Sequence, residues 1–378
     1  MTYRSDNAVL IETIKTQSGH KLGLITLNAP NAMNAIDVAM VHQLEACFDA
    51  WSKDNKIVAV VMRGAGDRAF SAGGDIRKLY DSMNAQGDEY LQYAEEFFIN
   101  EYRKNYRVHL FEKPIIAWGN GFVMGGGLGL FIGASHRVGT ETLKLAWPEV
   151  RIGLFPDVAG SWYLSRLPYP VGHWMGLTGS HMNAIDSKAV KLTQYCIEHA
   201  QFDAVVEQLT QQDWEKNIAM NHAKVRAVLR QSEQLDVMPS SELEIAKTAF
   251  NEFFKSSDLA SIDAAFKAYK GKNPWIKEGI QNYLAGCPAT ARVVMRQLKR
   301  GASLSLKEVV RWELEMAFQA IRHPDFAEGI RAMVVDKDYK PNWQHASINE
   351  VPDSWVDELT GYSWGQGHPL YELEGLVK

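Results

Sequence analysis

Two acidic residues stand in surroundings unusual for carboxylates. Glu149 lies in LAWPEVRIG and Asp157 in GLFPDVAG, each flanked by proline and large apolar residues. Carboxylates are seldom buried without a partner or a task. A desolvated carboxyl has a raised pKa and can serve as general acid or base. The same residues also fit surface turns, since Pro-Asp is common in turns and Pro-Glu at helix starts. Upstream lie two glycine-rich stretches, FSAGGDIRK and FVMGGGLGL. Glycine lets backbone N–H groups approach a ligand, and two such donors converging on one oxygen form an oxyanion hole. A single stretch of this kind is read first as tight turns or close helix packing, and it is the pair that points to a ligand site.

Each glycine-rich stretch follows a run that reads as a buried strand, IVAVVMRG (57–64) and PIIAWGNG (114–121). The second runs on into an apolar helical segment, which would put its N–H groups at a helix N-terminus. Residues 8–28 alternate around a Ser-Gly turn and predict a hairpin. Asp37 is placed to cap a helix whose buried face would be Val41, Leu44, Phe48 and Trp51. Another helical region spans about 86–111. Beyond residue 200 strand signals vanish, and 202–233, 241–270, 275–284, 288–300 and 305–321 read as helices. The expected organisation is an α/β part over 1–200 and a helical region over 201–378 packing on it.

Composition narrows the function. The net charge of -5 supplies no basic field for nucleic acid. Three cysteines, odd in number and far apart, predict buried reduced thiols rather than a disulfide framework. Eleven histidines without ligand spacing give no zinc site. RGAGDRA (Gly64, Gly66, Ala69) matches a dinucleotide pattern, but it continues into another turn instead of opening a helix. No phosphate-cradling P-loop and no nucleophile elbow occur. The first residues, MTYRSDNAVLIETIKTQSG, carry no apolar signal core. The longest apolar run, Phe122–Ala134, falls short of the about 20 residues a membrane span needs. A cytoplasmic, soluble protein is expected.

In combination, FSAGGDI, GFVMGGGLGL and WPEVRIGLFPDVAG resemble the crotonase (enoyl-CoA hydratase/isomerase) superfamily. The resemblance implies a spiral of ββα units and a small-molecule acyl-CoA thioester as substrate. Its oxyanion donors would be the backbone N–H groups of Gly74 and Gly126. Coenzyme A would run along Ser71, Ala72, Gly73, Asp75 and Ile76, with Gly125 beside the second donor and Arg77 toward the phosphates. Hydratases place one catalytic glutamate three residues after the middle glycine of GGG; here that residue is Gly129. Their second glutamate is kept as Glu149, and eight residues later a usual glycine is Asp157.

That exchange, with AGGDIR, PEVRIGLFPDVAGSWYLSRLP and DFAEGIRAMVVDKDYKPNW, resembles the family's 3-hydroxyisobutyryl-CoA hydrolase branch, which acts in valine breakdown. There Glu101 in NEYRKNY falls near the substrate; a solvated helix glutamate is the other reading. Ala159 and Ser161 stand where the branch often has glycine, and Trp162 is bulky, so the acyl pocket is expected to be reshaped. The implied reaction is hydrolysis of a 3-hydroxyacyl-CoA thioester. Glu149 would activate water or attack the carbonyl directly, and Asp157 would orient it or bind the 3-hydroxyl. A hydratase or isomerase on the same fold and a non-catalytic CoA-binding protein are the alternatives. Coenzyme A would be part of the substrate, with no metal or bound cofactor. Family members often form homo-oligomers. The segment after Trp343 carries no functional reading.

Overall fold

The computed structural model describes residues 8–365 and 367–371. The expected hairpin is strand β1 (Val9–Lys15) antiparallel to β2 (Lys21–Leu27). Asp37 caps the expected helix α1 (Val38–Lys53), its carboxylate accepting the Met40 N–H at 3.0 Å. All four predicted core positions of α1 are buried. Then come β3 (Ile57–Gly64), β4 (Ala69–Ser71), α2 (Ile76–Met83) and α3 (Gln92–Leu110). The next unit is β5 (Ile115–Gly119), β6 (Phe122–Met124) and α4 (Gly125–Gly133). β7 (His136–Gly139), β8 (Lys144–Ala146) and the short β9 (Tyr195–Cys196) follow.

The strands divide between two sheets. One has the order β1-β2-β3-β5-β7-β9, parallel from β2 onward; the other is β4-β6-β8, wholly parallel. The first unit places both β1 and β2 in the larger sheet, and from β3 onward each strand pair lends its first strand to the larger sheet and its second to the smaller. β3 and β5 are buried along nearly their whole length, which explains their unbroken apolar sequences.

Beyond residue 200 the described residues form helices, split where polar caps interrupt the longer predicted segments. Residues 202–233 become Phe202–Thr210 and Ile218–Gln231, the latter capped by Asn217. Residues 241–270 become Glu242–Phe253 and Leu259–Ala268, capped by Ser241 and Asp258. Ser305 and Glu308 form a reciprocal capping box opening Leu306–Ala320. Three buried clusters hold these helices to the α/β part, one of them packing Phe202, Leu209, Val225 and Leu229 on Leu22, Val61 and Trp118. Another joins Phe48 and Phe131 to Trp174, Phe250 and Phe266. The third joins Phe97, Phe98 and Tyr102 of α3 to Phe155, Leu314 and Phe326. The three cysteines are free and buried.

Candidate active site

The small sheet places the site. Because β4, β6 and β8 run parallel, their C-terminal ends share one edge, the usual location of ligand sites in parallel sheets. β4 leads into Ala72–Asp75, β6 into Gly125 and Gly126, and β8 into Trp147, Pro148 and Glu149. The first two loops touch. A Cβ on Gly73 would lie 3.2 Å from the Met124 carbonyl oxygen and 3.5 Å from the Gly126 nitrogen. Gly73 also has φ +108°, open to glycine and strained for other residues.

Two amides in this contact have no acceptor among the described residues. The Gly73 N–H donates to Ser71 Oγ at 3.2 Å and the Asp75 N–H to the Ile36 carbonyl at 2.8 Å, but the Gly74 N–H between them takes no partner among the described residues. Gly126 is the second residue of α4, so its N–H is among those a helix leaves unpaired at its start. A cleft of about 560 Å³ opens over both, within the size range of small-molecule sites.

Helix α3 supplies the back wall. Three glycines on one face of α4 each receive an α3 side chain. A Cβ on Gly126 would lie 1.8 Å from Glu101 Oε1, one on Gly129 2.3 Å from Asn105 Nδ2, and one on Gly133 3.1 Å from Val108. The glycines therefore serve close helix packing as well as backbone exposure. Glu101 is 2% exposed, which excludes the solvated-glutamate reading, and it lines the cleft.

Four buried carboxyls lie close together here. Glu149 opens a 3-10 turn (Glu149–Ile152) and is 3% exposed. Its Oε1 would stand 3.9 Å from a Cβ on Gly125, beside the second amide, and its Oε2 has no partner among the described residues. Burial, with the facing charges of Glu313 and Glu101, pushes Glu149 up to about 8. Asp157 accepts from the Tyr102 hydroxyl at 3.0 Å. Burial and the charges of Glu149, Glu101 and Glu313 hold it well above the ordinary carboxylate range. Burial raises Glu101 to about 7, moderated by the nearby Lys104 charge, and Glu313 likewise to about 7. Groups so placed cannot all ionise near neutrality, and they exchange protons as a set.

Comparison with known proteins fits this geometry. A family model described as enoyl-CoA hydratase/isomerase matches residues 22–360. The chain belongs to the enoyl-CoA hydratase/isomerase family. Among relatives of this family member, a Gallus gallus protein named 3-hydroxyisobutyryl-CoA hydrolase, mitochondrial, is 31% identical over 89% of the chain and 85% of the relative. The Homo sapiens protein of the same name is 31% identical over 88% and 84%. Two solved structures share the fold throughout. An enoyl-CoA hydratase from Rhodobacter sphaeroides aligns at TM-score 0.80 and 31% identity over 94% of the chain and 97% of its own. A carnitinyl-CoA dehydratase from Mycobacterium thermoresistibile aligns at 0.82 and 30% over 95% and 98%. The crotonase-like α/β spiral with its C-terminal helices is therefore the fold of this chain. Among the described residues no helix is long and apolar enough to cross a membrane. The two named hydrolases are labelled mitochondrial, so the expected cytoplasmic location finds no echo there.

Within this family site, Ala72, Gly73, Gly74, Asp75, Ile76, Arg77, Glu101, Gly125, Gly126, Glu149 and Asp157 all line the cleft. Ser71 does not. It is fully buried, its Oγ accepting the Gly73 N–H, so its side chain shapes that loop. Ala159, Ser161 and Trp162 do not themselves line the cleft: the Ala159 and Ser161 amides turn to Glu313, and Trp162 lies against the Arg166 guanidinium at 4.4 Å. Residues unforeseen from sequence are Tyr102, Lys104, Glu313 and the cleft-lining Phe326, Met333 and Val334. The C-terminal tail motif already carried Phe326, Met333 and Val334. Glu313 and Lys104 look like ordinary helix charges and gave no signal.

Proposed function

We propose that this chain hydrolyses a 3-hydroxyacyl-CoA thioester, with 3-hydroxyisobutyryl-CoA, an intermediate of valine breakdown, as its first candidate substrate. The observation that carries the reading is Gly129. Where hydratases carry a glutamate, even a Cβ would run into Asn105 and Val158. One acid–base glutamate of the hydratase pair is therefore replaced by packing, while Glu149 and Asp157 remain at the cleft. The names of the relatives support the same direction. Coenzyme A enters as part of the substrate, and no bound cofactor is required.

In this reading the thioester carbonyl oxygen lies between the Gly74 and Gly126 N–H groups. As charge grows on that oxygen, each donor supplies about 3–4 kcal/mol of transition-state stabilisation. Ionised Glu149, beside Gly125, takes a proton from the attacking water or adds to the carbonyl carbon to form an anhydride that water opens. The thiolate of coenzyme A departs. Asp157, holding its proton against three neighbouring carboxylates, donates to the substrate's 3-hydroxyl. Arg77, exposed at the cleft rim, suits a CoA phosphate.

The test is free-thiol release from (S)-3-hydroxyisobutyryl-CoA beside 3-hydroxypropionyl-CoA, acetyl-CoA and crotonyl-CoA. Release from the hydroxyacyl thioesters alone, lost in Glu149→Gln with CoA affinity retained, is the expected result. Hydration of crotonyl-CoA without thiol release would overturn the proposal in favour of the activity named for the Rhodobacter sphaeroides protein.

A further inference from the structure

We propose that Glu313, on the C-terminal helix Leu306–Ala320, is a positioning residue: its carboxylate clamps the Val158–Ser161 turn and so sets where the Asp157 carboxyl stands in the cleft. This deepens the thioesterase reading and depends on it for the chemistry.

Glu313 is completely buried. One carboxylate oxygen accepts the Ala159 N–H at 2.7 Å and the other the Ser161 N–H at 2.8 Å. No lysine, arginine or histidine pairs with it among the described residues. A buried carboxylate without a counter-ion is a poor way to stabilise a core, where an apolar residue of similar size serves better. Its placement calls for another reason, and the turn supplies one.

Asp157 begins this turn, its carbonyl accepting the Gly160 N–H at 2.8 Å. The two central residues, Val158 at φ +50° and Ala159 at φ +70°, are both left-handed and neither is glycine. A β-branched valine in that region is a conformational outlier that the surroundings must impose. Glu313 binds the amides on either side of Gly160 and imposes it. A second C-terminal helix helps: Gln297 Nε2 donates to the Pro156 carbonyl and to Ser161 Oγ, both at 2.8 Å. From the opposite side the Tyr102 hydroxyl holds Asp157 Oδ2. The catalytic-side carboxyl is thus gripped between α3 and a turn tied to the C-terminal helices.

The charge of the clamp matters as well as its shape. The ionisable groups facing Asp157 are Glu149, Glu101 and Glu313, with Tyr102 as donor. His109, kept neutral by burial at about 4, shares with Glu313 the small cavity behind the turn. An amide in place of Glu313 loses one acceptor and one negative charge together.

The experiment compares the full-length wild type with Glu313→Gln. Expected are a kcat about 10- to 100-fold lower, as for small misplacements of catalytic groups, unchanged KM and CoA affinity, and a carboxyl titration moved to lower pH. That titration is read from the infrared C=O band assigned by its loss in Asp157→Asn. If Glu313→Gln does not fold, Ala159→Gly/Glu313→Gln replaces it, since glycine adopts the left-handed conformation unaided. A folded variant with wild-type kcat and an unmoved Asp157 band overturns the proposal. If the wild type releases thiol from no thioester, the functional reading fails, and the infrared band still decides the clamp: unmoved, it overturns the proposal; moved to lower pH, it supports it.

Discussion

Replacing Glu149 by glutamine should make the fold's stability less dependent on pH. In the folded chain Glu149 releases its proton only at about 8, against an ordinary 4.5, chiefly because burial penalises the charged form. An unfolded chain ionises it near the ordinary value. Between these limits the folded state binds the extra proton, so stability is fully present below about 4.5 and is lost as pH rises toward 8. One proton difference is worth about 1.4 kcal/mol per pH unit, and the whole window on the order of 4–5 kcal/mol. Glutamine mimics the protonated carboxyl and has no charge to expose. At pH 5 the variant should therefore lie within about 1 kcal/mol of wild type. By pH 8 it should be the more stable by on the order of 3–5 kcal/mol. Relief of Asp157, which feels the Glu149 charge, acts in the same direction. Urea unfolding at constant ionic strength, followed by tryptophan fluorescence at pH 5, 6, 7 and 8, reads the difference. A constant offset between the two proteins across that range would refute the reasoning, because it would mean that Glu149 ionises alike in both states.

Other perturbations test separate parts of the site. Gly129→Ala should destabilise the fold by about 1–3 kcal/mol through overpacking against Asn105 and Val158, and Gly129→Glu should confer no crotonyl-CoA hydration; a stable, hydrating variant would remove the basis of the proposed reaction. Ala159→Gly should raise stability by up to about 1 kcal/mol, since it relieves the left-handed strain at φ +70°, and a lower Tm would contradict it. Tyr102→Phe removes the donor to Asp157 Oδ2 and should raise the Asp157 carboxyl's proton affinity further. Its infrared titration should move to higher pH, opposite to Glu313→Gln.

Much of the architecture was legible because it follows local rules. Asp37 and the apolar face of α1, the hairpin at 8–28 and the helix starts near 241 and 305 are each written within a few residues. The strands of the small sheet were not. β4, β6 and β8 have three residues each, too few for alternation to show, and they exist because each pairs with a neighbour contributed by a different ββα unit. The helical segments were read as longer than they are: the chain leaves the helix after Thr210 and Phe253, and Asn217 and Asp258 each cap the start of a new one.

The chemistry divides along the same line. The residue types were present in the sequence: Glu149 and Asp157 in apolar settings, exposed-backbone glycines at two loops, and Gly129 where a glutamate was missing. What those groups do depends on solvent and on distance. Glu101 reads as an ordinary helix glutamate until α3 lies against Gly126 and excludes water from it. Glu313 stands more than 150 residues from the amides it holds. Proton affinity and strain are collective quantities, set by which charges and which dipoles share a water-free volume, and only the packed tertiary structure brings them together.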